Sequence, residues 1–232
     1  MSSTWNPAID HNSYLIVGSA PYVSRWWAIN SKEVVESKLK VCPINNAWSI
    51  IGAENIHRWF VPNDFYATGT VIPTDGVIES IREICGVDSA GAIRRDSQAK
   101  INAYKGKTSG QNPPPDLKRC FESHLRPRSS ENTGTMFVNA MRVTMNHAYE
   151  NRENIGIYII GSDFDYTDGC HFYENHPGYK GSKDPLRYGL EYLQSELQAL
   201  KSVCDEFGYN IYNLSNSKNT LLPFVQIEKV VE

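Results

Sequence analysis

Short apolar runs alternate with longer amphipathic stretches along the chain, and this pattern predicts an α/β fold. The apolar runs are rich in β-branched and aromatic residues and stop at glycine, proline or asparagine, as buried strands do. The predicted strands are 14–17, 41–44, 56–61, 155–160 and 211–214. A short polar helix is predicted over 31–40, and apolar residues at helical spacing predict helices over 74–85, 137–148 and 185–207. Strands alternating with helices are typical of a doubly wound, largely parallel sheet.

Four of the predicted strands end in small, amide or acidic residues. These ends are Gly18-Ser19-Ala20, Asn45-Asn46, Asn63-Asp64 and Gly161-Ser162-Asp163. Ligands of open α/β sheets bind outside the carboxyl ends of the strands, so we expect a nucleotide site along this edge. Small residues let a ligand approach the backbone, and asparagine can read a base or a sugar. Asparagine is also an ordinary turn residue, and this alternative stays open.

The segment after the predicted strand 155–160 carries the densest chemistry. Residues 161–176 include two histidines, three aspartates and four aromatic residues, more than a turn requires. We expect an active-site loop here. Histidine has an ordinary pKa of about 6.5, so His171 or His176 could accept a proton at neutral pH. Either one could equally be a surface or hydrogen-bonded residue.

The apolar periodicity is lost over residues 88–130, which we expect to form a surface excursion within a single domain of 1–232. Gly106-Lys107-Thr108 lacks the remaining glycine and the preceding strand of a phosphate-binding loop. Arg126 and Arg128 follow near the end of the excursion, where an arginine could pair with an anion. Beyond them, Asn132-Thr133-Gly134 precedes a predicted helix and suits either an anion site or an N-cap.

Composition narrows the classes of partner. Lys and Arg number 23 against 26 Asp and Glu, so a nucleic-acid partner is not expected. No apolar run is long enough to span a membrane, and the first residues do not resemble a signal peptide. Five widely spaced cysteines favour reduced thiols and a cytoplasmic location. Peripheral membrane contact and homo-oligomers stay open.

The order of these motifs resembles the bacterial sialyltransferases of glycosyltransferase family 42. The motifs are Leu-Ile-Val-Gly-Ser-Ala-Pro, Asn-Asn, Thr-Gly-Thr, Ile-Ile-Gly-Ser-Asp-Phe and Asn-Leu-Ser-Asn-Ser. They are also similar to the related domain of motility-associated nonulosonate transferases and of archaeal hydroxymethylpterin diphosphokinases. The resemblance covers most of the chain outside the excursion. It implies a Rossmann-like variant of the GT-A fold with a small lid, here residues 165–185. It further implies a CMP-activated, sialic acid-like donor, a glycan acceptor, and inversion without a metal.

The resemblance also suggests roles for individual residues. The turn Gly18-Ser19-Ala20 would face the donor, while Asn45 would read cytidine and ribose. Asn63 would correspond to the second donor-site asparagine of that family. Residues 132–134 would lie near the donor phosphate. The remaining candidates are the strand end Gly161-Ser162-Asp163, the lid tyrosines Tyr166 and Tyr173, and the general base, with His176 as first choice and His171 as second.

Other reaction classes remain open. Asp163-Phe164-Asp165 spells the Asp-x-Asp pattern that holds a divalent metal in many GT-A enzymes. We do not favour a metal there, because the corresponding first aspartate of the resembling family is structural. The two alternatives are an Mg²⁺-dependent, diphosphokinase-like phosphoryl transferase and a non-catalytic nucleotide-sugar-binding domain.

Overall fold

A computed structural model describes residues 13–62, 84–87, 136–150, 156–167, 169, 171–172, 190–215 and 217–227. The strands are β1 Tyr14–Val17, β2 Lys40–Pro43, β3 Trp59–Pro62, β4 Ile84–Val87, β5 Gly156–Ile160, β6 Asn210–Asn213 and β7 Val225–Gln226. The helices are α1 Val23–Glu36, α2 Trp48–Ile51, α3 Met136–Glu150 and α4 Leu190–Phe207. Short 3₁₀ turns at Asn45–Ala47 and Ala53–Asn55 flank α2.

Every strand pairing in the described part of the chain is parallel. Five strands form one sheet in the order β2-β1-β5-β6-β7, and β3 pairs with β4. Isolated parallel bridges from Val41 to Ile56 and from Ile44 to Phe60 lay β3 beside β2. Strands β2 and β3 therefore lie on one side of β1, and β5, β6 and β7 follow in order on its other side. A sheet whose strand order reverses between two neighbours opens a crevice at their carboxyl ends.

Helices cover both faces of the main sheet. Tyr14 and Ile16 of β1 share a buried cluster with residues of α3 and α4. Leu15 and Val17, which point to the opposite face, share a second buried cluster with α1 and α2. Strands buried on both faces read as continuous apolar runs, as seen at 14–17 and 157–160. The predicted α/β class and largely parallel sheet are confirmed.

Two predicted helices were placed wrongly. The helix predicted over 31–40 is α1, which begins at Val23 and ends at Glu36. Its buried residues include Trp26 and Trp27. Burial of these two large apolar side chains places the first turns of α1, before residue 31, in the core. Lys40 instead starts β2, where its N–H donates to Ser13 O at 3.0 Å.

The helix predicted over 74–85 fails at its last two residues. Ile84 and Cys85 belong to β4 and align with Trp59 and Phe60 of β3. Pairing with a neighbouring strand overrides the helical spacing that the sequence shows there. Residues 74–83 lie outside the described part of the chain, as do 88–130.

The later elements agree with the sequence pattern. The predicted helix 137–148 is α3, and the predicted strands 155–160 and 211–214 are β5 and β6. The helix α4 ends at Phe207, and Gly208 follows with a φ of 68°. Of the expected lid, only 165–167, 169 and 171–172 are described. None of the helices in the described ranges is long and apolar enough to cross a membrane.

Candidate functional site

Two glycines bring the carboxyl ends of β1 and β5 together. Gly18 N–H donates to Ile160 O at 2.7 Å, and Ala20 N–H donates to Gly161 O at 3.1 Å. A Cβ on Gly18 would lie 2.1 Å from Gly161 O. A Cβ on Gly161, which has a φ of 72°, would lie 2.2 Å from Val23 Cγ2. Only glycine at both positions permits this approach, because any Cβ would overlap a neighbouring atom.

A cleft of about 160 Å³ opens at this junction, at the carboxyl edge of the sheet. The predicted site residues that line it are Gly18, Ser19, Ala20, Asn45, Gly161, Ser162, Asp163, Tyr166 and His171. Met136 and Phe137, the first residues of α3, form part of its wall. The first described turn of α3 therefore borders the cleft.

Asp163 joins three strand ends beneath the cleft. The residue is 1% exposed, and its Oδ2 accepts hydrogen bonds from Tyr22 Oη at 2.6 Å and Ser215 Oγ at 2.5 Å. Its backbone oxygen accepts from Leu221 N–H at 2.8 Å. The Tyr22 hydroxyl also accepts from Gly161 N–H at 3.3 Å. Burial, and then the charge of Asp163, raise the pKa of Tyr22 well above its ordinary range. Asp163 is thus the hydrogen-bonding centre of the junction.

Asp165 ties the loop after β5 to the loop after β6. Its Oδ2 accepts a short hydrogen bond from Ser217 Oγ, and its Oδ1 accepts from Thr167 Oγ1 at 2.5 Å. These two hydroxyls hold the pKa of the Asp165 carboxyl below its ordinary value. Both carboxylates of the Asp-x-Asp pattern are therefore engaged by hydroxyl groups of the protein. Within the described ranges, no group of three His, Cys, Asp or Glu side chains is arranged to hold a metal ion.

His171 folds back onto the turn that follows β1. Its Nδ1 lies 2.8 Å from Ser19 Oγ, within hydrogen-bond distance. The next residue, Phe172, donates its N–H to Ser19 O at 3.0 Å. Ser19 is 9% exposed, whereas His171 is partly buried and lines the cleft. The histidine is thus held in the cleft by both the side chain and the backbone of one serine.

Asn45 presents an acceptor that has no partner within the described part of the chain. Its φ of 51° lies in the left-handed region, which asparagine tolerates better than most residues. Its carbonyl oxygen accepts from Trp59 Nε1 at 2.7 Å. Its Oδ1 is buried and has no hydrogen-bond partner among the described residues, although Asn45 lines the cleft. A buried polar atom of this kind is costly unless a ligand or water completes it.

Sequence reasoning gave no role to several residues that build the site. Tyr22, Ser215 and Ser217 bond to the two aspartates, and Trp59 holds Asn45. The feature that could have indicated a role for Ser215 and Ser217 is their position just after β6, which pairs with β5 in the sheet. No local pattern marks Trp59, because its indole reaches Asn45 only through the packing of β3 against β2.

The other predicted site residues lie outside the described part of the chain. They are Asn63, Asn132, Thr133, Gly134, Tyr173 and His176. Their assignments therefore stay predictions.

Comparison of the chain with family models, curated proteins and solved structures finds no match in any of the three.

Proposed function

We propose that this protein is a glycosyltransferase that moves a sialic acid-like sugar from a CMP-activated donor to a glycan acceptor. We further propose that its fold is a Rossmann-like, doubly wound variant of the GT-A fold. The observation that carries it is the convergence of Gly18, Asn45, Gly161 and His171 on one cleft at the β1–β5 switch. These residues are far apart in the sequence and were each predicted to serve the donor or the transfer.

The donor end of the cleft suits a nucleotide. The Oδ1 of Asn45, to which no described residue donates, can accept a hydrogen bond from the exocyclic amine of cytosine or from a ribose hydroxyl. The Gly18-Ser19-Ala20 turn leaves room for the donor beside the backbone. The N-terminus of α3, which begins at Met136, favours a negatively charged phosphate.

The transfer itself needs a proton acceptor and stabilisation of the leaving group. The acceptor hydroxyl attacks the anomeric carbon, the bond from that carbon to the phosphate oxygen breaks, and CMP leaves with the electron pair. His171 takes the hydroxyl proton, since it is the candidate histidine that lines the cleft in the described structure. Tyr166, together with Tyr173 from the rest of the lid, donates hydrogen bonds to the departing phosphate.

The carboxylates favour a reaction without a metal. Asp163 is buried and accepts from two hydroxyls, and Asp165 accepts from Ser217 and Thr167. A divalent ion that bound both side chains would compete with these donors for the carboxylate lone pairs. Charge on the leaving phosphate is therefore met by hydroxyl and N–H groups.

Turnover assays test this proposal against the two alternatives. CMP-sialic acid and ATP are each incubated with the protein and an acceptor glycan, with and without a chelator. We expect release of CMP that the chelator does not reduce. Chelator-sensitive turnover of ATP alone would instead support a phosphoryl transferase. Thermal protection by CMP without any turnover would support a binding domain.

Two histidine variants test the assignment of the base. We expect His171→Ala to lower kcat by about 100-fold or more while the Kd for CMP changes little, because only proton transfer is lost. His176→Ala serves as the paired variant. Loss of transfer in His176→Ala, with normal turnover in His171→Ala, would return the base to His176.

A further inference from the structure

We propose that Ser19 is a positioning residue that sets which nitrogen of His171 carries the proton. It holds the proton on Nδ1, so that Nε2 carries the lone pair that receives the proton of the acceptor hydroxyl. This inference rests on the proposed function for the identity of that hydroxyl. It adds to the proposed function the residue that sets the protonation of the base.

The tautomer of a histidine ring depends on the hydrogen bonds of its two nitrogens. A neutral ring has one N–H and one lone pair, and the hydrogen bond made by one nitrogen decides the state of the other. In this protein Nδ1 lies 2.8 Å from Ser19 Oγ. A hydroxyl can donate or accept, so this contact could hold either tautomer. Only the form in which Nδ1–H donates to Ser19 Oγ leaves Nε2 able to act as a base.

The placement of Ser19 suits such a role. It lies in the turn between β1 and α1, and the sheet holds this turn rigidly against Gly161. Its hydroxyl is nearly buried and meets the His171 ring, while its carbonyl accepts from Phe172 N–H at 3.0 Å. The ring and its backbone are thus held by the same rigid residue. Catalytic groups need this kind of support, because small displacements greatly reduce the rate.

The same contact has a competing interpretation. If Ser19 Oγ–H donated to Nδ1, the pair could act as a nucleophile and a base, with Ser19 attacking the donor sugar. CMP would leave, a covalent glycosyl-serine would form, and its transfer to the acceptor would retain the configuration of the donor. This outcome is separable from the positioning role, since it leaves a mass increase on the protein and a different product anomer.

The decisive measurement is the tautomer of His171, which needs no substrate. The full chain is labelled with ¹⁵N-histidine, the resonance of His171 is assigned with His171→Gln, and spectra are recorded near pH 8. We expect the Nδ1–H form to dominate in the wild-type protein. The Nε2–H form should rise in Ser19→Ala and fall again in Ser19→Thr, which keeps the hydroxyl.

Kinetics provide the second readout. We expect Ser19→Ala to lower kcat by about 10- to 100-fold, because His171 keeps its position but is no longer held in the Nδ1–H form. The KM should change by less than about 2-fold. Ser37→Ala is the matched control. The hydroxyl of Ser37 donates to Val34 O at the far end of α1, about 20 Å from the cleft, and its loss should leave kcat and the tautomer unchanged.

Several results would overturn the inference. They are a dominant Nε2–H form in the wild-type protein, a tautomer ratio unaffected by Ser19→Ala, or a covalent glycosyl-serine with a retained anomer. The wild-type spectrum still tests which nitrogen of His171 carries the proton if Ser19→Ala fails to fold. If the tautomer responds to Ser19 but CMP-sialic acid is not turned over, the positioning stands and the proposed function fails. If turnover occurs and the tautomer ignores Ser19, the proposed function stands and the positioning fails.

Discussion

Gly18 and Gly161 stand at the carboxyl ends of two neighbouring strands and allow them to meet without side chains between them. Beside them, a single buried carboxylate, Asp163, collects hydroxyls from two other parts of the chain. Few residues thus decide the geometry of the cleft. At this scale the structure predicts that very small side-chain changes will have large effects on stability.

Gly161→Ala should be more destabilising than Gly208→Ala. Both glycines have a positive φ, 72° and 68°, so both substitutions carry backbone strain of about 1–2 kcal/mol. Only at Gly161 would the new Cβ also meet neighbouring atoms, whereas nothing lies within 4 Å at Gly208. We expect an additional loss of about 1–3 kcal/mol at Gly161. Urea unfolding of the two variants measures this difference, and equal losses would contradict the close approach.

Asp163→Asn should destabilise the protein by about 2–4 kcal/mol, because it removes charge-assisted hydrogen bonds in a buried place. The amide also adds a donor that faces the Tyr22 and Ser215 hydroxyls. Asp205→Asn is the control. It breaks an ion pair with Lys201 on the surface of α4, which should cost less than about 0.5 kcal/mol. Chemical denaturation at neutral pH compares the two, and similar losses would argue against Asp163 as the centre of the junction.

At the scale of elements, the loops at the carboxyl edge are tied to each other. The loop after β5 is joined to the loop after β6 through Asp165 and Ser217. It is joined to the turn after β1 through His171 and Ser19. Loops held in this way keep functional side chains in place while the strands supply the rigid frame.

The Asp165 link should depend on pH. Because its pKa is lowered in the folded protein, the ionised carboxylate stabilises the fold above its ordinary value of 3.8. That contribution is lost as the pH falls from 3.8 through the lower folded value. We therefore expect Asp165→Asn to be less stable than the wild type at pH 7, by less than about 1 kcal/mol because the group is screened by solvent. The difference should close below pH 3.8. Thermal unfolding between pH 7 and pH 2 tests this, and a constant difference would contradict it.

At the scale of the whole molecule, the cleft exists because the strand order reverses between the parallel neighbours β1 and β5. Residues from the turn after β1, the turn after β2, the start of α3 and the loop after β5 meet only there. A ligand in the cleft would contact all four segments. Binding should therefore stabilise the molecule as a whole.

CMP should raise the melting temperature. At a concentration 100 times its Kd it would add about 2.7 kcal/mol, which corresponds to roughly 5–10 °C for a chain of this size. Asn45→Gly keeps a residue suited to the positive φ but removes the amide, so the shift at the same CMP concentration should shrink. Asn210→Ala, at the exposed amino end of β6, should retain the full shift. An unchanged shift in Asn45→Gly would remove Asn45 from the ligand site.

Much of the fold and part of the site can be predicted from local patterns. Continuous apolar runs marked β1, β5 and β6, and helical spacing marked α3 and the end of α4. The errors at the start of α1 and at Ile84–Cys85 arose where burial of tryptophans or pairing with β3 outweighed local spacing. Three of the four strand-end motifs contribute residues to the cleft, because strand ends in a parallel sheet share one edge, and the fourth, at residues 63–64, lies outside the described part of the chain.

The sequence by itself determined the α/β class, the sheet edge at which the cleft lies, and the residue types gathered there. These follow from periodicity and turn chemistry, which act over a few neighbouring residues. The tertiary structure alone decided that Asp163 binds Tyr22 and Ser215, that Trp59 holds Asn45, and that Ser19 meets His171. Each pair depends on which strands become neighbours and how closely their ends approach. That is decided by packing across the whole sheet, which no short stretch of sequence records.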